Sequence, residues 1–323
     1  MSAPVITVTL NPALDQTITL DRLRLGEVHR AQASRIEAAG KGVNVASCLA
    51  DWGIACTATG LLGAGNAEPF ASLFAAKGIC DAFVRCPGDT RTNVKLLDRE
   101  AADTTDINLP GLQVEAAALD AVRAQLAAHG GAGSLVVLAG SLPAGLPDDS
   151  YAQLTADIAR RGGRVLLDTS GAPLAAALAA QVQPYAIKPN RHELEAWAGH
   201  ALSTRRELIA AAQALLARGI RLVAISLGAD GALLLRDDEI VQAQPLPVAV
   251  GSTVGAGDAM VAGLVAGLLA EASLEDLARL ATAFAAAKLG GIGAHLPARE
   301  TVRALAAEVR VDRLQSTPHG VTP

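Results

Sequence analysis

The chain has 323 residues, of which 51% are hydrophobic and only 2% aromatic, so it is long enough for one large core, or for a core with a smaller appendage. Its net charge of -5 argues against nucleic acid or an anionic membrane surface as the main partner, and the scarcity of aromatic residues leaves no stripe for stacking bases. We expect any basic site to be local.

The four cysteines form no C-x-x-C pair and have no suitably spaced histidines, which argues against a zinc site and against a disulfide framework. The N-terminus lacks the basic and apolar regions of a signal peptide, and the oiliest stretch, residues 259–270, is too short to cross a bilayer. We therefore expect buried free thiols and a cytoplasmic protein.

Short apolar runs alternate with Ala/Leu segments of helical period along the chain. Strands are predicted for VITVTL, SLVVLAG, GRVLLD, YAIKPN and RLVAISLG, and helices for segments such as EAAALDAVRAQLAAHG and STRRELIAAAQALLARG. This alternation, with continuously apolar strands, predicts an α/β fold in which helices cover both faces of a mostly parallel sheet.

Two polar, Thr-rich regions, residues 16–37 and 84–112, interrupt this pattern and alternate like strands of a sheet with one wet face. We expect them to form a small second sheet that projects from the core as a lid. The core would then comprise residues 1–15, 38–83 and 113–312, and residues 313–323 would form a disordered tail.

The stretch AAGKGVNVA, residues 38–46, joins a glycine turn to a predicted helix start. Gly40 and Gly42 flank Lys41, and Asn44 is expected to open a helix that runs to Trp52. An ordinary loop with a surface lysine explains the same pattern.

The stretch TRTNVKL, residues 90–96, has the alternation of a strand. Arg91, Asn93 and Lys95 fall on one face, where two cations and an amide suit a phosphate and its sugar. A solvated strand face is the alternative.

Two further motifs follow predicted strands. In KPNRHELE, residues 188–195, Asn190 and Glu193 have the spacing of a helix capping box, and Glu193 is also placed to hold Mg²⁺ directly or through water. In SLGADGALLL, residues 226–235, a hairpin with an Asp-Gly turn and a nucleotide-phosphate loop are equally good interpretations.

The stretch GSTVGAGDAMVAG, residues 251–263, predicts a strand-to-helix turn at Gly255, Ala256 and Gly257. Such a turn directs unpaired amide groups and the positive end of the helix dipole at one spot, which attracts anions. Asp258 would lie in the first turn of the helix, where it can accept a proton from a hydroxyl that attacks a phosphoryl group. An ordinary first-turn acid is the alternative.

Two familiar phosphate-binding patterns are missing from the sequence. No G-x-x-x-x-G-K-[ST] occurs, because Lys41 is followed by Gly42, and no predicted strand is followed by a full G-x-G-x-x-G. A P-loop NTPase and a nicotinamide dehydrogenase therefore lose their main support.

Seven motifs together, in one order, resemble the ribokinase-like (PfkB) family of sugar kinases. The resemblance runs from about Val5 to Val311 and is carried by TLNPALD (9–15), AAGKGVNVA, TRTNVKL, AGSLPAG (139–145), KPNRHELEAWAG (188–199), SLGADGAL and STVGAGDAMVAG. It implies a three-layer α/β/α core with a β lid, an enzyme that uses ATP and Mg²⁺, and a homodimer in which lids meet.

The resemblance also implies a role for each motif. Asp258 would be the catalytic base, and the amides of Gly255, Ala256 and Gly257 would hold the transferring phosphoryl group. The sugar phosphate would be bound by Asp15, Gly40, Lys41, Asn44, Arg91, Asn93 and Lys95, and the nucleotide by Lys188, Asn190, Ser226, Gly228 and Gly231. Glu193 would hold the metal ion.

Lys41 directs the choice of substrate within the family. It favours the branch that phosphorylates D-fructose 1-phosphate at the C6 hydroxyl, since relatives that act on fructose 6-phosphate usually carry an all-glycine run at that place. Tagatose 6-phosphate and fructose 6-phosphate are the alternative substrates. A sensor that binds sugar phosphate and nucleotide without turnover is the alternative of a different class.

Overall fold

The structure is a computed structural model of the chain, and it describes residues 3–101, 103–248, 255–290 and 295–314. Two β-sheets form its framework. Their strands, in chain order, are β1 (Val5–Thr9), β2 (Ala13–Leu20), β3 (Ala33–Ala39), β4 (Thr57–Gly63), β5 (Cys80–Cys86), β6 (Thr92–Asp98), β7 (Asp103–Asn108), β8 (Leu135–Ala139), β9 (Arg164–Asp168), β10 (Ala186–Ile187), β11 (Leu222–Ser226), β12 (Ala232–Arg236), β13 (Glu239–Ala243) and β14 (Val311–Leu314).

The helices of the described residues surround the larger sheet. In chain order they are α1 (Lys41–Asp51), α2 (Glu68–Lys77), α3 (Ala117–His129), α4 (Ser150–Arg160), α5 (Gly171–Ala179), α6 (Arg191–Ala198), α7 (Arg205–Ala217), α8 (Ala256–Leu269), α9 (Leu274–Leu289) and α10 (Arg299–Glu308). No helix in the described part of the chain combines the length and the apolar character that a bilayer crossing requires.

The larger sheet has the order β14, β13, β12, β11, β10, β9, β8, β1, β4, β5. The strands from β11 to β5 are parallel, and β12 to β14 complete one edge as antiparallel strands. Central strands such as β8 are buried along their whole length, which explains their unbroken runs of Leu and Val. The predicted mostly parallel α/β sheet is therefore confirmed.

Two hydrophobic cores lie on opposite faces of this sheet. One joins α1, α2, α8, α9 and α10 to the sheet, and the other joins α3 to α7. Neighbouring residues of one strand enter different cores, as Val136 and Val137 do, because side chains alternate between the faces. Cys48, Cys56 and Cys86 are buried free thiols as expected, whereas Cys80 is exposed.

The smaller sheet has the order β3, β2, β6, β7. Register pairs Asp15 with Asn93 and Thr17 with Lys95, so these polar side chains share one face. The opposite face is mostly apolar and contains Ile18, Ile36, Val94, Leu96 and Ile107. A second sheet with two unlike faces was predicted, and its presence is confirmed.

The strands do not follow the predicted boundaries at every point. The small sheet begins at Ala13 and includes Ala39, while β5 extends the large sheet to Cys86, beyond the predicted start of the lid at residue 84. Arg313 and Leu314 belong to β14 rather than to a tail, because they pair with β13. Residues 315–323 lie outside the described residues.

Close helix packing makes up for the scarcity of aromatic side chains. A Cβ on Gly263 of α8 would lie 2.7 Å from the Cα of Ala281 in α9 and 3.0 Å from the backbone oxygen of Leu280. The two helices therefore touch through backbone at this point, and a larger side chain has no space.

We expect Gly263→Val to lower the free energy of unfolding by about 1–3 kcal/mol, because the added atoms must push α8 and α9 apart. Gly131→Val is the matched control, since a Cβ on Gly131 meets nothing within 4 Å. Urea unfolding of both variants measures the difference, and equal midpoints would contradict the packing argument.

Candidate active site

The start of α8 offers unpaired amide groups at the carboxyl edge of the sheet. Gly255 is the N-cap residue, in a left-handed conformation with φ of 79°, and no side chain of the described residues makes a capping hydrogen bond there. The first amides of a helix have no acceptor within the helix, and the dipole adds partial positive charge there. Residues 249–254, which precede this turn, lie outside the described residues.

Asp258 lies in the first turn of α8 and is only 7% exposed. The side-chain amide of Asn44 donates a hydrogen bond of 2.8 Å to its Oδ2. Burial, and after it the charge of Asp168, raises the pKa of Asp258 to about 6. The carboxylate is thus buried, oriented by the hydrogen bond from Asn44 and able to exchange a proton near neutral pH.

Asp168 joins two lysines next to Asp258. Its Oδ1 lies 3.2 Å from Lys41 Nζ and 3.3 Å from Lys188 Nζ. Lys188 Nζ is also 3.7 Å from the position that a Cβ on Gly257 would take, which brings the ammonium to the mouth of α8. Burial works to lower the pKa of Lys41, but the charges of Asp168 and Asp258 outweigh it and raise that pKa.

The sequence analysis missed Asp168. It is 1% exposed, and its Oδ2 has no hydrogen-bond partner among the described residues. The signal was present, because Asp168 is the last residue of β9 and open parallel sheets bind ligands at the carboxyl ends of their strands.

The glycines beside Lys41 are explained by packing against β1. A Cβ on Gly40 would lie 2.9 Å from Thr9 Cγ2, and one on Gly42 would lie 2.5 Å from Thr9 Oγ1. Their absence of side chains lets α1 begin against the end of β1. The helix begins at Lys41 rather than at Asn44 as predicted, because Gly40 is its N-cap.

The lid supplies a second polar group. Asp15 accepts a hydrogen bond of 3.1 Å from the Asn93 amide and pairs with Lys95 Nζ at 3.0 Å. Asn93 Oδ1 is buried and has no partner among the described residues. Arg91 precedes β6, and its guanidinium donates to the backbone oxygens of Asn11, Pro12 and Leu109. The structure thus brings Asp15, Asn93 and Lys95 together and gives Arg91 backbone partners.

The predicted nucleotide residues follow β10 and β11. Asn190 and Glu193 form the capping box of α6, each side chain bonding the other's backbone amide, at 2.9 and 2.8 Å. The Ser226 amide donates to the backbone oxygen of Pro189 at 3.0 Å, which joins the ends of the two strands. The predicted capping box is therefore confirmed.

The stretch after Ser226 forms the predicted hairpin, with β11 and β12 antiparallel and a 3₁₀ turn over Gly228–Asp230. Gly231 has φ of 82°, and a Cβ there would lie 2.1 Å from the backbone oxygen of Ala243. This glycine is required by the close approach of β13, whatever else the turn binds.

A further cation reaches the start of α8 from α9. Lys288 is 3% exposed, and its Cε lies 3.1 Å from the position of a Cβ on Gly255. The sequence analysis did not single it out, since a lysine after FAAA in the sequence carries no local signal of a site.

The comparison with known proteins agrees with this arrangement. The model of the pfkB family carbohydrate kinases matches residues 8–301. The chain belongs to the pfkB family of carbohydrate kinases. It is therefore a kinase, an enzyme that uses ATP as phosphoryl donor, and the family resemblance seen in the seven motifs is confirmed.

Similar kinases match nearly the whole length of the chain. It is 58% identical over 312 residues to a 1-phosphofructokinase of Xanthomonas campestris pv. campestris, a match that covers 96% of this chain and 98% of the relative. A 1-phosphofructokinase of Rhodobacter capsulatus is 50% identical over 316 residues, which is 97% of this chain and 99% of the relative. The crystal structure of phosphofructokinase-2 from Escherichia coli in complex with potassium superposes with a TM-score of 0.89 at 30% identity, covering 95% of this chain and 99% of that one.

Asp258→Asn tests whether the buried charge of Asp258 lowers the free energy of unfolding. The pKa is raised in the folded state from 3.8 to about 6, so the carboxylate destabilises the fold fully above about pH 6, and this cost disappears as pH falls towards 4. We expect the variant to be more stable than the wild type by about 2–3 kcal/mol at pH 8, with the difference shrinking in acid.

Urea unfolding at pH 8 and near pH 4.5 measures this difference. Asp148→Asn changes an exposed carboxylate and serves as the matched control. A variant at Asp258 that is less stable than the wild type at pH 8 would contradict the raised pKa.

Proposed function

We propose that this protein is a 1-phosphofructokinase, which transfers the terminal phosphoryl group of ATP to the C6 hydroxyl of D-fructose 1-phosphate. The observation that carries the proposal is Asp258, a buried carboxylate in the first turn of α8 whose pKa the nearby ammonium groups of Lys41 and Lys188 lower. The names of the relatives at 58% and 50% identity support the same substrate.

In the proposed reaction Asp258 accepts the proton of the C6 hydroxyl as its oxygen attacks the terminal phosphorus. The bond from C6 oxygen to phosphorus forms, the bond from phosphorus to the bridging oxygen of ATP breaks, and ADP leaves with that oxygen. The amides of Gly255, Ala256 and Gly257 would hold the developing negative charge, together with Lys188. Asn44 orients the base through its hydrogen bond.

The lid would bind the sugar phosphate. Asn93 Oδ1 lacks a partner among the described residues and is suited to a sugar hydroxyl, while Asp15 provides a second acceptor. Arg91 has five donors, and its backbone contacts leave some of them for the phosphate already on the sugar, next to Lys95. We assign Gly40 and Lys41 to the same pocket, with Lys41 also held by Asp168.

The nucleotide would lie over the ends of β10 and β11, at Lys188, Asn190 and the turn from Ser226 through Gly228 to Gly231. The described residues contain no group of three His, Cys, Asp or Glu side chains that could hold a metal by themselves. This fits Mg²⁺, which usually binds through one or two carboxylates, water and substrate phosphates.

Glu193 is the carboxylate that we assign to Mg²⁺. Its Oε2 is used by the capping box, whereas Oε1 has no hydrogen-bond partner among the described residues. When bound, the ion would neutralise charge on the nucleotide phosphates. Since its proposed substrates, ATP and a sugar phosphate, are kept inside cells, we also propose a cytoplasmic location.

A substrate panel tests the proposed function directly. We expect ADP release to be fastest with fructose 1-phosphate when that sugar is compared with fructose 6-phosphate, tagatose 6-phosphate and free fructose. Equal rates on the first two would contradict the role given to Lys41. A protein that binds both ligands and releases no ADP would be a sensor, not a kinase.

Asp258→Asn should lower kcat by about 10²- to 10⁴-fold and leave the affinity for sugar phosphate largely intact, because the carboxylate accepts the hydroxyl proton only in the transition state. Rapid-quench turnover and calorimetric binding measure the two quantities. A variant that keeps more than a tenth of the wild-type kcat would remove Asp258 from its role as base.

The pH profile provides a separate test. We expect kcat to fall as pH drops through about 6, since Asp258 must be ionised to accept a proton. Phosphate groups of the substrates also titrate at about pH 6. Asn44→Leu distinguishes titration of Asp258 from titration of the substrate phosphates. It removes the hydrogen bond that lowers the pKa of Asp258, so the acid limb of the kcat profile should move to higher pH if Asp258 is the group that titrates. An unmoved limb would assign the titration to the substrates.

We further propose that the core and lid are two units and that the lid forms a homodimer. The apolar face of the small sheet leaves Ile36 53% exposed and Ile107 46% exposed, and the β2–β3 connection exposes Leu25 and Val28 almost completely. An apolar face of this kind, opposite a polar face that binds substrate, is suited to the same face of a second copy.

The double change Ile36→Lys and Ile107→Lys should convert a dimer into a monomer, because it buries four charges in a symmetric interface. Light scattering with size-exclusion chromatography measures the mass. Val182→Lys is the control, because Val182 is an exposed apolar residue outside the small sheet, and it should leave the mass unchanged. A wild-type chain that is monomeric at micromolar concentration would refute the dimer.

A further inference from the structure

Lys288 is a buried cation at the place where the phosphoryl group would be transferred. It lies in the last turn of α9 and is 3% exposed. Its side chain crosses to the start of α8, where Cε and Nζ lie 3.1 and 3.9 Å from the position of a Cβ on Gly255. The glycine therefore leaves space that the lysine side chain occupies.

No hydrogen bond or ion pair joins the ammonium of Lys288 to another residue that the structure describes. The other lysines near the site differ, since Lys41 and Lys188 pair with Asp168 and Lys95 pairs with Asp15. Burial lowers the pKa of Lys288, and the nearby carboxylates of Glu37 and Asp258 offset only part of that effect. The neighbouring thiol of Cys48 is no counter-ion, because burial raises its pKa to about 12 and keeps it neutral.

The use of lysine in this chain also points to the site. Only five of its 27 basic residues are lysines. Four of them, Lys41, Lys95, Lys188 and Lys288, are the ones near the site, and the fifth, Lys77, pairs with Asp51. Elsewhere the chain uses arginine, so the compact ammonium is kept almost entirely for this region.

We infer that Lys288 is a further catalytic residue, whose ammonium contacts the phosphoryl group as it passes from the nucleotide to the sugar at the start of α8. The inference rests on the proposed function. The first amides of α8 have no acceptor within the helix, and the buried ammonium of Lys288 has no direct ion pair among the described residues, although Glu37 and Asp258 lie near enough to offset part of the lowering of its pKa by burial. A phosphoryl group held between them would supply an anion to both. The position against Gly255 favours the transferring group over the phosphate already on the sugar, which lies by the lid cations.

Lys288→Met tests the assignment through two quantities that move in opposite directions. We expect kcat to fall by about 10²-fold with little change in KM for either substrate, as when one donor to a developing charge is removed. We also expect Tm to rise, because methionine fills a similar volume without an unpaired buried charge. Lys288→Arg should recover part of kcat, since it restores the charge.

Lys77→Met is the matched control for Tm. The side chain of Lys77 is only 10% exposed but has Asp51 as its counter-ion, so its loss should lower Tm. A fall in Tm for Lys288→Met like that of Lys77→Met would make Lys288 a structural lysine and overturn the inference. A kcat within threefold of the wild type would overturn it too, as would an effect confined to KM for the sugar phosphate.

The two proposals fail in different ways. If the wild type releases no ADP with any phosphosugar, the proposed function is wrong, and the rise in Tm with the Mg²⁺ complex of a non-hydrolysable ATP analogue then tests Lys288 by itself. A smaller rise for Lys288→Met than for the wild type supports contact with a phosphoryl group. An equal rise overturns it.

Discussion

The site depends on keeping the charge of Asp258 inside the protein. The carboxylate lies in a buried position beside a second buried acid, Asp168, and each of these features disfavours the ionised form. The positive end of α8, the amide of Asn44 and the ammonium groups of Lys41 and Lys188 compensate in part. The result is a carboxylate with a pKa of about 6, which suits the proposed role of Asp258 as a base and costs stability.

Close approach of backbone to backbone makes this arrangement possible. Gly40 and Gly42 let α1 start against Thr9 of β1, and this places Asn44 next to Asp258. Gly263 lets α8 lie directly on α9, whose last turn brings Lys288 to the site. The chain has few aromatic side chains to fill space between its elements, so small residues set the distances at which the helices pack.

The same strands of the small sheet form two unlike faces. Side chains alternate along a strand, so β2 and β6 present Asp15, Asn93 and Lys95 on one face and apolar residues on the other. The polar face includes Asn93 Oδ1, which is buried and has no partner among the described residues, whereas the apolar face leaves Ile36 and Ile107 partly exposed. A shift of one residue in register would exchange the two faces, so the register of this sheet would link the proposed substrate face to the proposed dimer face.

The sequence by itself determined what depends on local pattern. Continuous apolar runs identified the strands of a parallel sheet, alternation identified the lid strands, and the spacing of Asn190 and Glu193 identified a capping box. The glycine turn before Asp258 identified the start of α8 within one residue. Each of these signals is contained within a few neighbouring residues.

Only the tertiary structure decided which groups meet. Asn44 contacts Asp258 across 214 positions of the chain, and Lys41 contacts Asp168 across 127. Lys288 does not stand out in its own segment, and Asp168 is marked only by its place at the end of β9. The raised pKa of Asp258 follows from burial and from the charge of Asp168. Burial and charge pairing arise from the packing of distant elements, and a local pattern carries no information about them.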